Sequence, residues 1–516
     1  MKLVVNGNIN EYYVQTLCLL FFPGSRFSKT EESDDSPSAE VSVIETEEKI
    51  TATVSLSYNG KSVTRTCDES LPSSGIFTDA QRLVVGKAFF AAGKALLGVE
   101  PQWGILTGVR PSKIAIKELY NGKTKTDVKS RLAKELFVSP KKAALVTTIA
   151  ATEKKIISKV PEKSCSVYIS IPFCPSRCSY CSFVSVASKK LLSMIDDYLV
   201  ALCRDIEECF MLIKSLGISV STVYIGGGTP TTLSAPQLEI LLSKIDQCID
   251  VSTLEEFTVE AGRPDTVTAE KFRVLKDFGV TRVSVNAQTL NDDVLEAIGR
   301  HHTVKQFYDA FEIARESGIK DINTDLIAGL PGEGFASFSE TVDQMIKLHP
   351  ENLTLHTLCI KSAADFGKDL RGIRGMGDAS KSVDYAQASA KNAGYIPYYI
   401  YRQKNTVENL ENVGFAVPGH EGLYNIYMME EVHSIFAIGA GAVSKLVSRN
   451  GTKIERIFEY KYPYEYLAEG GLSKRTEKSE KILNFYSNIW YTRRSYDGSI
   501  IIFRERSRKK AIRYRK

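Results

Sequence analysis

Between residues 161 and 401 the sequence alternates between short apolar, β-branched segments and longer segments with helical periodicity. Alternation at this spacing predicts parallel strands that are joined by helical crossovers. Roughly six such units suit a partial (β/α)6 TIM-like barrel, since a closed barrel has eight. The predicted fold class is therefore α/β. The predicted strands are Val167–Ile171, Ser221–Ile225, Glu256–Val259, Arg282–Val285, Asp321–Ile327, Leu353–Leu358 and Tyr395–Tyr401.

Three cysteines follow the first predicted strand within one loop. Cys174, Cys178 and Cys181 have the spacing Cys-x3-Cys-x2-Cys, which lets three thiolates converge on one centre. A [4Fe–4S] cube normally takes four protein thiolates. A cube held by three keeps one iron open, and an open iron can bind a cofactor or a substrate. The spacing therefore predicts an iron–sulfur cluster at this loop.

Two other interpretations of these cysteines remain open at this point. Structural zinc needs a fourth Cys or His at short range, but the nearest histidine in sequence is His301, and Cys165 lies at the opposite end of the strand. Incidental buried cysteines are the second alternative, since a free cysteine packs as a small hydrophobe. The ten cysteines do not form a disulfide framework pattern, which indicates a reducing compartment and a cytoplasmic protein.

The positive net charge of +5 is concentrated at the C-terminal end of the chain. Residues 493–516 carry a net +8, which leaves the other 492 residues at −3. A mildly acidic body gives no case for nucleic-acid binding. No apolar run approaches the roughly 20 residues of a membrane span, and the first residues lack the features of a signal peptide.

Residues that can bind a ligand fall at the ends of the predicted strands. Gly226, Gly227 and Gly228 remove three side chains in succession, so a ligand can approach the backbone closely. Glu260 and Asp325 end or nearly end two further strands. The active site of such barrels lies at the C-terminal ends of the strands, so these residues are expected around one mouth. Taken singly, a triple glycine is also compatible with a tight turn, and Glu260 with a solvated carboxylate.

The cysteine loop, with an aromatic residue just before the third cysteine, resembles that of the radical S-adenosylmethionine (SAM) superfamily. Five segments resemble the oxygen-independent coproporphyrinogen III dehydrogenase family: VYISIPFCPSRCSYCSF, YIGGGTPT, VSVNAQT, IGRHHT and NTDLIAGLPGE. Three more are similar to the HemZ-type branch of that family: WGILTGVRP, LHTLCIK and YRQKNTVENLENVGFAVPG. The resemblance covers roughly Trp103 to Val447.

This resemblance implies a [4Fe–4S] cluster on the three cysteines, whose unique iron chelates the amino and carboxylate groups of SAM. One electron from the reduced cluster then cleaves SAM to a 5′-deoxyadenosyl radical. The SAM contacts implied by the matched positions are Tyr168, Tyr180, Gly226, Gly227, Gly228, Thr229, Glu260, Gln288, Arg300 and Asp325.

The function implied is the oxidative decarboxylation of coproporphyrinogen III propionates to vinyl groups in haem biosynthesis. A flavodoxin or ferredoxin is the expected electron donor, and Lys361, Arg402 and Lys404 are candidate cations for the propionates. Established decarboxylases of the family carry a further cysteine two residues after the third, where this chain has Phe183.

Relatives that traffic haem share this Cys-x-Phe form. A haem-binding chaperone on the same scaffold is therefore an alternative function, and a radical SAM methyltransferase that uses a second SAM is another. The possible axial haem ligands are His301, His356, His420 and His433.

Four regions are predicted along the chain. Residues 1–160 form an α+β region with a hairpin at Asn59 and Gly60, and residues 161–401 form the partial barrel. Residues 402–470 are expected to cap the barrel mouth, and residues 402–450 among them are glycine-rich and loop-rich. Residues 471–516 are expected to be a basic, solvated and disordered tail.

Overall fold

The structure is a computed structural model that describes most of the 516 residues. The described residues are 1–28, 36–73, 75–76, 79–108, 110–183, 185–359, 378–404, 406–448, 451, 453–468 and 470–490. Among these residues, no helix is long and apolar enough to cross a membrane.

The N-terminal region is a small sheet with helices on one side. In the described part, four strands pair in chain order: β1 (Lys2–Asn6), β2 (Ser38–Glu45), β3 (Lys49–Tyr58) and β4 (Lys61–Ser70). Asn59 and Gly60 have φ values of 49° and 71°, as a type I′ hairpin turn requires, which confirms the predicted hairpin. The helices are α1 (Glu11–Phe21), α2 (Ala80–Leu97), α3 (Ser112–Tyr120), α4 (Lys125–Leu136) and α5 (Pro140–Ile157).

A second, larger sheet forms the centre of the molecule. Six of its strands are parallel and adjacent in chain order: β5 (Ser164–Ile171), β6 (Ser219–Gly227), β7 (Glu256–Glu260), β8 (Arg282–Ser284), β9 (Asp321–Ala328) and β10 (Asn352–Thr357). This order confirms the predicted α/β fold with six parallel strands. Within the described residues, the helices between and after these strands are α6 (Lys189–Leu192), α7 (Ile195–Ser215), α8 (Ala235–Cys248), α9 (Ala269–Asp277), α10 (Asp292–Ala297), α11 (Val304–Glu316), α12 (Phe335–Leu348) and α13 (Asp378–Asn392).

The chain after residue 395 extends the sheet at both edges. On one side β12 (Glu411–Ala416) pairs antiparallel with β10, and β11 (Ile396–Arg402) follows it outward. On the other side β13 (Ser434–Ile438) pairs parallel with β5 and is followed by β14 (Val443–Val447) and β15 (Ile454–Phe458). The predicted strand at Tyr395–Tyr401 exists, but it does not pair with β10 as a seventh barrel strand would.

Strand β12 escaped sequence analysis because of its glycine. Gly414 belongs to the segment ENVGFA, which we expected to be a loop. A side chain at this position would collide with the ring of Tyr399 on β11. The glycine therefore permits a close approach between two strands and does not mark a turn.

Part of the predicted cap, residues 420–429, lies at the end of the barrel opposite to the expected one. Helix α14 (Leu423–Met429) begins where the backbone N–H of Leu423 donates to Glu256 Oε2 at 2.7 Å. Just before it, the carbonyl of His420 accepts from Arg282 Nη2 at 3.1 Å. Since Glu256 and Arg282 are the first residues of β7 and β8, this segment covers the amino-terminal ends of the strands.

The first part of the predicted basic tail is a helix that packs on the sheet. Helix α16 (Gly470–Trp490) follows α15 (Pro463–Leu467), and it buries Ile482 and Phe485 in the main hydrophobic core. Lys478 Nζ donates to the carbonyl of Ala437 on β13 at 2.6 Å. We expected a disordered segment because charged residues surround these few apolar ones. Residues 491–516, which include the +8 segment, lie outside the described residues.

The two faces of the central sheet differ in chemistry. Side chains on the outer face, such as Val167, Ile225 and Val259, are fully buried and belong to the main hydrophobic core. The opposite face is here called the inner face. On it, the register of the parallel strands aligns one row of polar and aromatic residues: Tyr168, Tyr224, Thr258, Arg282 and Asp321. The next row of the inner face, toward the carboxyl ends, has Gly226, Glu260, Ser284 and Asn323, followed on β9 by Asp325. Branched aliphatic residues fill the interior of most TIM barrels, so this polar inner face suits a bound ligand.

Candidate functional site

The cysteine loop leaves the carboxyl end of β5 and closes on itself. The backbone N–H of Cys174 donates to Val186 O at 3.0 Å, and the N–H of Val186 donates to Pro172 O at 2.9 Å. Within the loop, the N–H of Cys181 donates to Cys178 O at 3.0 Å, which keeps the second and third cysteines in one turn. These contacts hold all three cysteines in a loop with a fixed base.

The thiols of this loop are partly buried. Burial raises the pKa of the Cys174 thiol, while a contact with Thr229 Oγ1 at 3.4 Å lowers it again in part. Burial also raises the pKa of the Cys181 thiol, and the charges of Cys178 and Cys174 add to that rise. Among the described residues, no three Cys, His, Asp or Glu side chains are gathered closely enough to hold a single metal ion.

The glycine run packs directly against the base of the cysteine loop and against Glu260. A Cβ on Gly228 would lie 2.5 Å from the carbonyl oxygen of Phe173, which is backbone and cannot move aside. A Cβ on Gly226 would lie 2.9 Å from Glu260 Oε2. Gly227 has a φ of 114°, in the left-handed region that favours glycine. The three glycines therefore bring the end of β6 into contact with two elements of the site.

Glu260 is held by a tyrosine that sequence analysis did not single out. Tyr224 Oη donates to Glu260 Oε1 at 2.5 Å, and the ring of Tyr224 stacks on Tyr424 with centroids 4.5 Å apart. The ring of Tyr168 lies 6.1 Å from that of Tyr224. The pKa of Glu260 is raised to about 7, mainly by burial and also by the negative charge of Asp325. The hydrogen bond from Tyr224 lowers this pKa in part. Glu260 is thus the titratable centre of an aromatic cluster.

The raised pKa of Glu260 gives the stability of the ligand-free chain a specific pH dependence. Between its ordinary pKa of 4.5 and the folded value of about 7, the folded state holds a proton that the unfolded state has lost. The stabilisation is therefore complete below pH 4.5 and is lost as the pH rises to 7. Relative to Glu260→Gln, we expect the free energy of unfolding of the wild type to fall by up to about 3 kcal/mol across this range. Urea unfolding at several pH values measures this difference, and parallel pH profiles would contradict it.

Gln288 has a strained backbone and an unpaired side chain. Its φ is 66°. Its backbone N–H donates to Asp325 O at 2.8 Å, and its carbonyl accepts from the N–H of Ile327 at 3.0 Å, so the residue is held beside β9. A left-handed conformation at a residue other than glycine costs on the order of 1–3 kcal/mol. The buried Gln288 Oε1 has no hydrogen-bond partner among the described residues. Such strain and an unpaired acceptor are typical of a ligand-binding position.

Arg300 connects the cysteine loop with the end of β7. Its Nη1 donates to Tyr180 Oη at 3.4 Å, and its Nη2 donates to the carbonyl of Gly262 at 2.5 Å. Its buried Nε has no partner in the described part of the chain. Tyr180 packs beside a small apolar cluster that is separate from the main core: Val294, Leu295, Ile298, Ile327, Leu330 and Leu358. A cation and an apolar surface therefore lie side by side at the mouth.

Asp325 is a carboxylate in the second half of β9, three residues before the last residue of the strand. Asn286 Nδ2 donates to its Oδ2 at 2.8 Å, and Asn323 Nδ2 donates to its Oδ1 at 2.9 Å. Burial raises the pKa of Asp325, but two other effects hold it below its usual value. These are the nearby His356, whose Nε2 lies 3.6 Å from Asp325 Oδ2, and the hydrogen bonds to the carboxylate. Asn286 was absent from the predicted site, although it stands two residues before Gln288.

The candidate cations for propionates do not gather at this site. Arg402 is buried, donates to the carbonyl of Leu106 and lies over the ring of Trp103 at 5.1 Å. Lys404 Nζ lies 3.7 Å from the ring centroid of Tyr12, in the N-terminal region. Lys361 lies outside the described residues. Arg402 is thus a structural residue, because buried contacts already engage its guanidinium.

Of the four candidate haem ligands, one lies beside Asp325 and two lie away from the mouth. His356 is near Asp325, and its Nδ1 lies 3.2 Å from Tyr401 Oη. His433 is buried, and its ring nitrogens contact the hydroxyl groups of Ser164 and Ser166. His420 Nδ1 lies 2.5 Å from Asp321 Oδ1 at the amino-terminal end of β9. His301 is exposed. His356 is therefore the candidate ligand that lies beside the carboxylate of Asp325.

The polar inner face was the main feature that sequence analysis missed. A signal was present, because every second residue of the apolar strands is polar or aromatic, as in VYIS and EFTVE. Period-two alternation of this kind indicates a strand with one face that is not packed in a core.

Comparisons with known proteins agree with the motifs in this site. Residues 168–345 match the family model of the radical SAM superfamily. The chain is 39% identical over 381 residues to the oxygen-independent coproporphyrinogen-III oxidase-like protein HemZ of Bacillus subtilis, covering 72% of this chain and 75% of that protein. It is 33% identical over 325 residues to the heme chaperone HemW of Lactococcus lactis, covering 62% of this chain and 81% of that protein. Among solved structures, the coproporphyrinogen III oxidase HemN of Escherichia coli matches with a TM-score of 0.49 and 22% identity, over 63% of this chain and 73% of that one.

Proposed function

Because this chain belongs to the oxygen-independent coproporphyrinogen-III oxidase-like family of the radical SAM superfamily, in its HemZ-type branch, we propose that it decarboxylates coproporphyrinogen III. In the proposed reaction each of two propionate side chains loses one hydrogen atom, one electron and CO2 and becomes a vinyl group. The hydrogen atom goes to the 5′-deoxyadenosyl radical, and the electron goes to a one-electron acceptor. A flavodoxin or ferredoxin in a reducing cytoplasm is the proposed source of the electron that starts the reaction.

The family uses a [4Fe–4S] cluster and SAM, and the residues present fit both. Cys174, Cys178 and Cys181 supply three soft sulfur ligands from one loop, and they would hold the cluster. When bound, the cluster and SAM together supply the radical that removes a hydrogen atom from the substrate. The unpaired Oε1 of Gln288 and Nε of Arg300 are buried polar atoms that a ligand would satisfy.

The proposed SAM contacts divide by chemistry. The Arg300 guanidinium would bind the carboxylate of SAM, and Gln288 would add a second polar contact. Glu260 would accept from a ribose hydroxyl, and Asp325 is a second carboxylate acceptor nearby. The ring of Tyr180, beside the apolar cluster, would contact the adenine. Gly226, Gly227 and Gly228 would expose backbone groups to the amino end of SAM, with Thr229 and Tyr168 beside them.

The observation that carries the substrate proposal is the composition of the inner face. A porphyrinogen has four pyrrole rings with N–H donors, so it requires flat apolar contacts and hydrogen-bond acceptors together. Tyr168, Tyr224 and Tyr424 provide stacked rings, with centroids between 4.5 and 6.4 Å apart. Asp325 provides a carboxylate acceptor near them. This combination of rings and acceptors supports a porphyrinogen as the substrate.

Anaerobic turnover of the complete, cluster-loaded chain tests the proposal. SAM, a strong reductant and coproporphyrinogen III are supplied, and the porphyrin products are identified by mass after oxidation. Formation of vinyl groups with matching amounts of CO2 and 5′-deoxyadenosine supports the proposal. Release of 5′-deoxyadenosine without any change in the porphyrinogen would overturn it.

A second candidate function is haem binding, and Phe183 is the observation that favours it. This residue stands where the decarboxylases of the family carry a further cysteine, and its side chain is 67% exposed beside the cysteine loop. A haem ligand in the mouth would be His356. A stable haem complex that forms without turnover, and that His356→Ala abolishes, would favour this function over decarboxylation.

A further inference from the structure

Arg263 is a buried arginine beside the cysteine loop that neither the motifs nor the proposed function use. It follows β7, two residues before Asp265, and it is 3% exposed. Asp265 binds it in two places, with Arg263 Nε 3.0 Å from Oδ1 and Nη2 2.9 Å from Oδ2. This bidentate pair fixes the plane of the guanidinium and leaves Nη1 free of the carboxylate.

The free nitrogen of Arg263 is directed at the cysteine loop. Nη1 donates to Ser176 Oγ at 2.9 Å and to the carbonyl of Ser176 at 3.4 Å. It also lies 3.7 Å from Cys178 Sγ, within hydrogen-bonding distance of a sulfur acceptor. A single buried nitrogen thus contacts both the backbone of the loop and one of the three cluster ligands.

Arg263 lies in a buried polar environment together with His302 and Asp265. The imidazole of His302 lies near it, is 2% exposed and has no hydrogen-bond partner among the described residues. The pKa of His302 is lowered to about 3, mainly by burial. The positive charges of Arg300 and Arg263 contribute to this lowering, and the negative charge of Asp265 opposes it. An arginine cannot lose its proton in a protein, so a permanent cation remains next to the cysteine loop.

We propose that Arg263 raises the reduction potential of the cluster by donating a hydrogen bond to Cys178 Sγ and holding a positive charge beside it. Reduction adds an electron to the cluster and increases its negative charge. A hydrogen bond to a ligand sulfur and a nearby cation both stabilise that reduced form. The low dielectric of a buried position strengthens this effect compared with a surface arginine. Arg263 thus acts through Cys178, a proposed ligand of the cluster, and makes it easier for the cluster to accept an electron.

A redox titration of the cluster-loaded protein, followed by electron paramagnetic resonance without SAM or substrate, tests this role. At a fixed potential near the wild-type midpoint, we expect Arg263→Gln to lower the ratio of reduced to oxidised cluster by about tenfold. For a one-electron couple, a tenfold change corresponds to about 59 mV. Arg263→Lys keeps the positive charge, but it cannot bind both oxygens of Asp265 and Cys178 Sγ at the same time. The decrease in the ratio of reduced to oxidised cluster should therefore be smaller for this variant. The titration needs no porphyrinogen, so its outcome is independent of the proposed decarboxylation.

Two control variants separate this role from a purely structural one. Arg273→Gln removes a positive charge from an exposed position on α9 and should leave the midpoint unchanged. Ser176→Ala removes the contact to Ser176 Oγ but keeps the contacts of Arg263 to the Ser176 carbonyl and to Cys178 Sγ, so it should also keep the wild-type midpoint. If Arg263→Gln and Arg263→Lys lose cluster content while the remaining clusters titrate like the wild type, the proposal is overturned.

Discussion

We expect Cys181→Ala to lose the cluster and to cleave SAM at a rate lower than the wild type by more than about 10³-fold. A loss of that size corresponds to over about 4 kcal/mol of activation free energy. The physical reason is that one loop supplies all three proposed protein ligands, so removal of one sulfur leaves one iron of the cluster without its protein ligand. Iron and sulfide per chain after anaerobic reconstitution, together with the rate of 5′-deoxyadenosine formation, measure the effect.

The matched control for this variant is Cys67→Ser. Cys67 is a partly buried cysteine on β4 of the N-terminal sheet, away from the cysteine loop. Its replacement should leave cluster content and SAM cleavage at the wild-type level. A Cys181→Ala protein that retained a full cluster and cleaved SAM would remove the basis for the proposed function.

The second large effect concerns stability. We expect Lys142→Met to lower the free energy of unfolding by about 3–5 kcal/mol, the usual range when one partner of a buried ion pair is removed. Lys142 on α5 and Glu411 on β12 form an ion pair at 2.5 Å, and both side chains are 0% exposed. Trp103 Nε1 and Gln387 Nε2 also donate to Glu411, at 2.9 Å and 2.7 Å. Without the lysine, these neutral donors alone would face a buried carboxylate.

The neighbouring lysine provides a matched control for Lys142→Met. Lys141 pairs with Asp384 at 2.8 Å, but its side chain is 51% exposed. Lys141→Met should therefore cost less than about 1 kcal/mol. Urea unfolding of both variants gives the comparison, and Glu411→Gln should recover part of the loss when it is combined with Lys142→Met. Equal losses for the two lysines would show that burial does not determine the cost.

The sequence was most informative where the chemistry is local. Cys174, Cys178 and Cys181 lie within eight positions, and their spacing places them in one loop whatever the rest of the chain does. Gly226 to Gly228 and Asn59 with Gly60 were recognised in the same way, because backbone conformations that require glycine leave a direct mark in the sequence. The residues that support the site did not leave such a mark. Tyr224 and Asn286 belong to it through their hydrogen bonds to Glu260 and Asp325, which lie 36 and 39 residues away.

The alternation of apolar and helical segments determined the six parallel strands and their order, because adjacent β/α units pair with their sequence neighbours. Only the tertiary structure decided that β12 separates β10 from β11, that β13 joins β5, and that the segment around α14 covers the amino-terminal ends. It also decided that Arg263 lies beside Cys178, 85 residues earlier in the chain. Contacts of this kind depend on which distant surfaces fit together, and local periodicity contains no information about that fit.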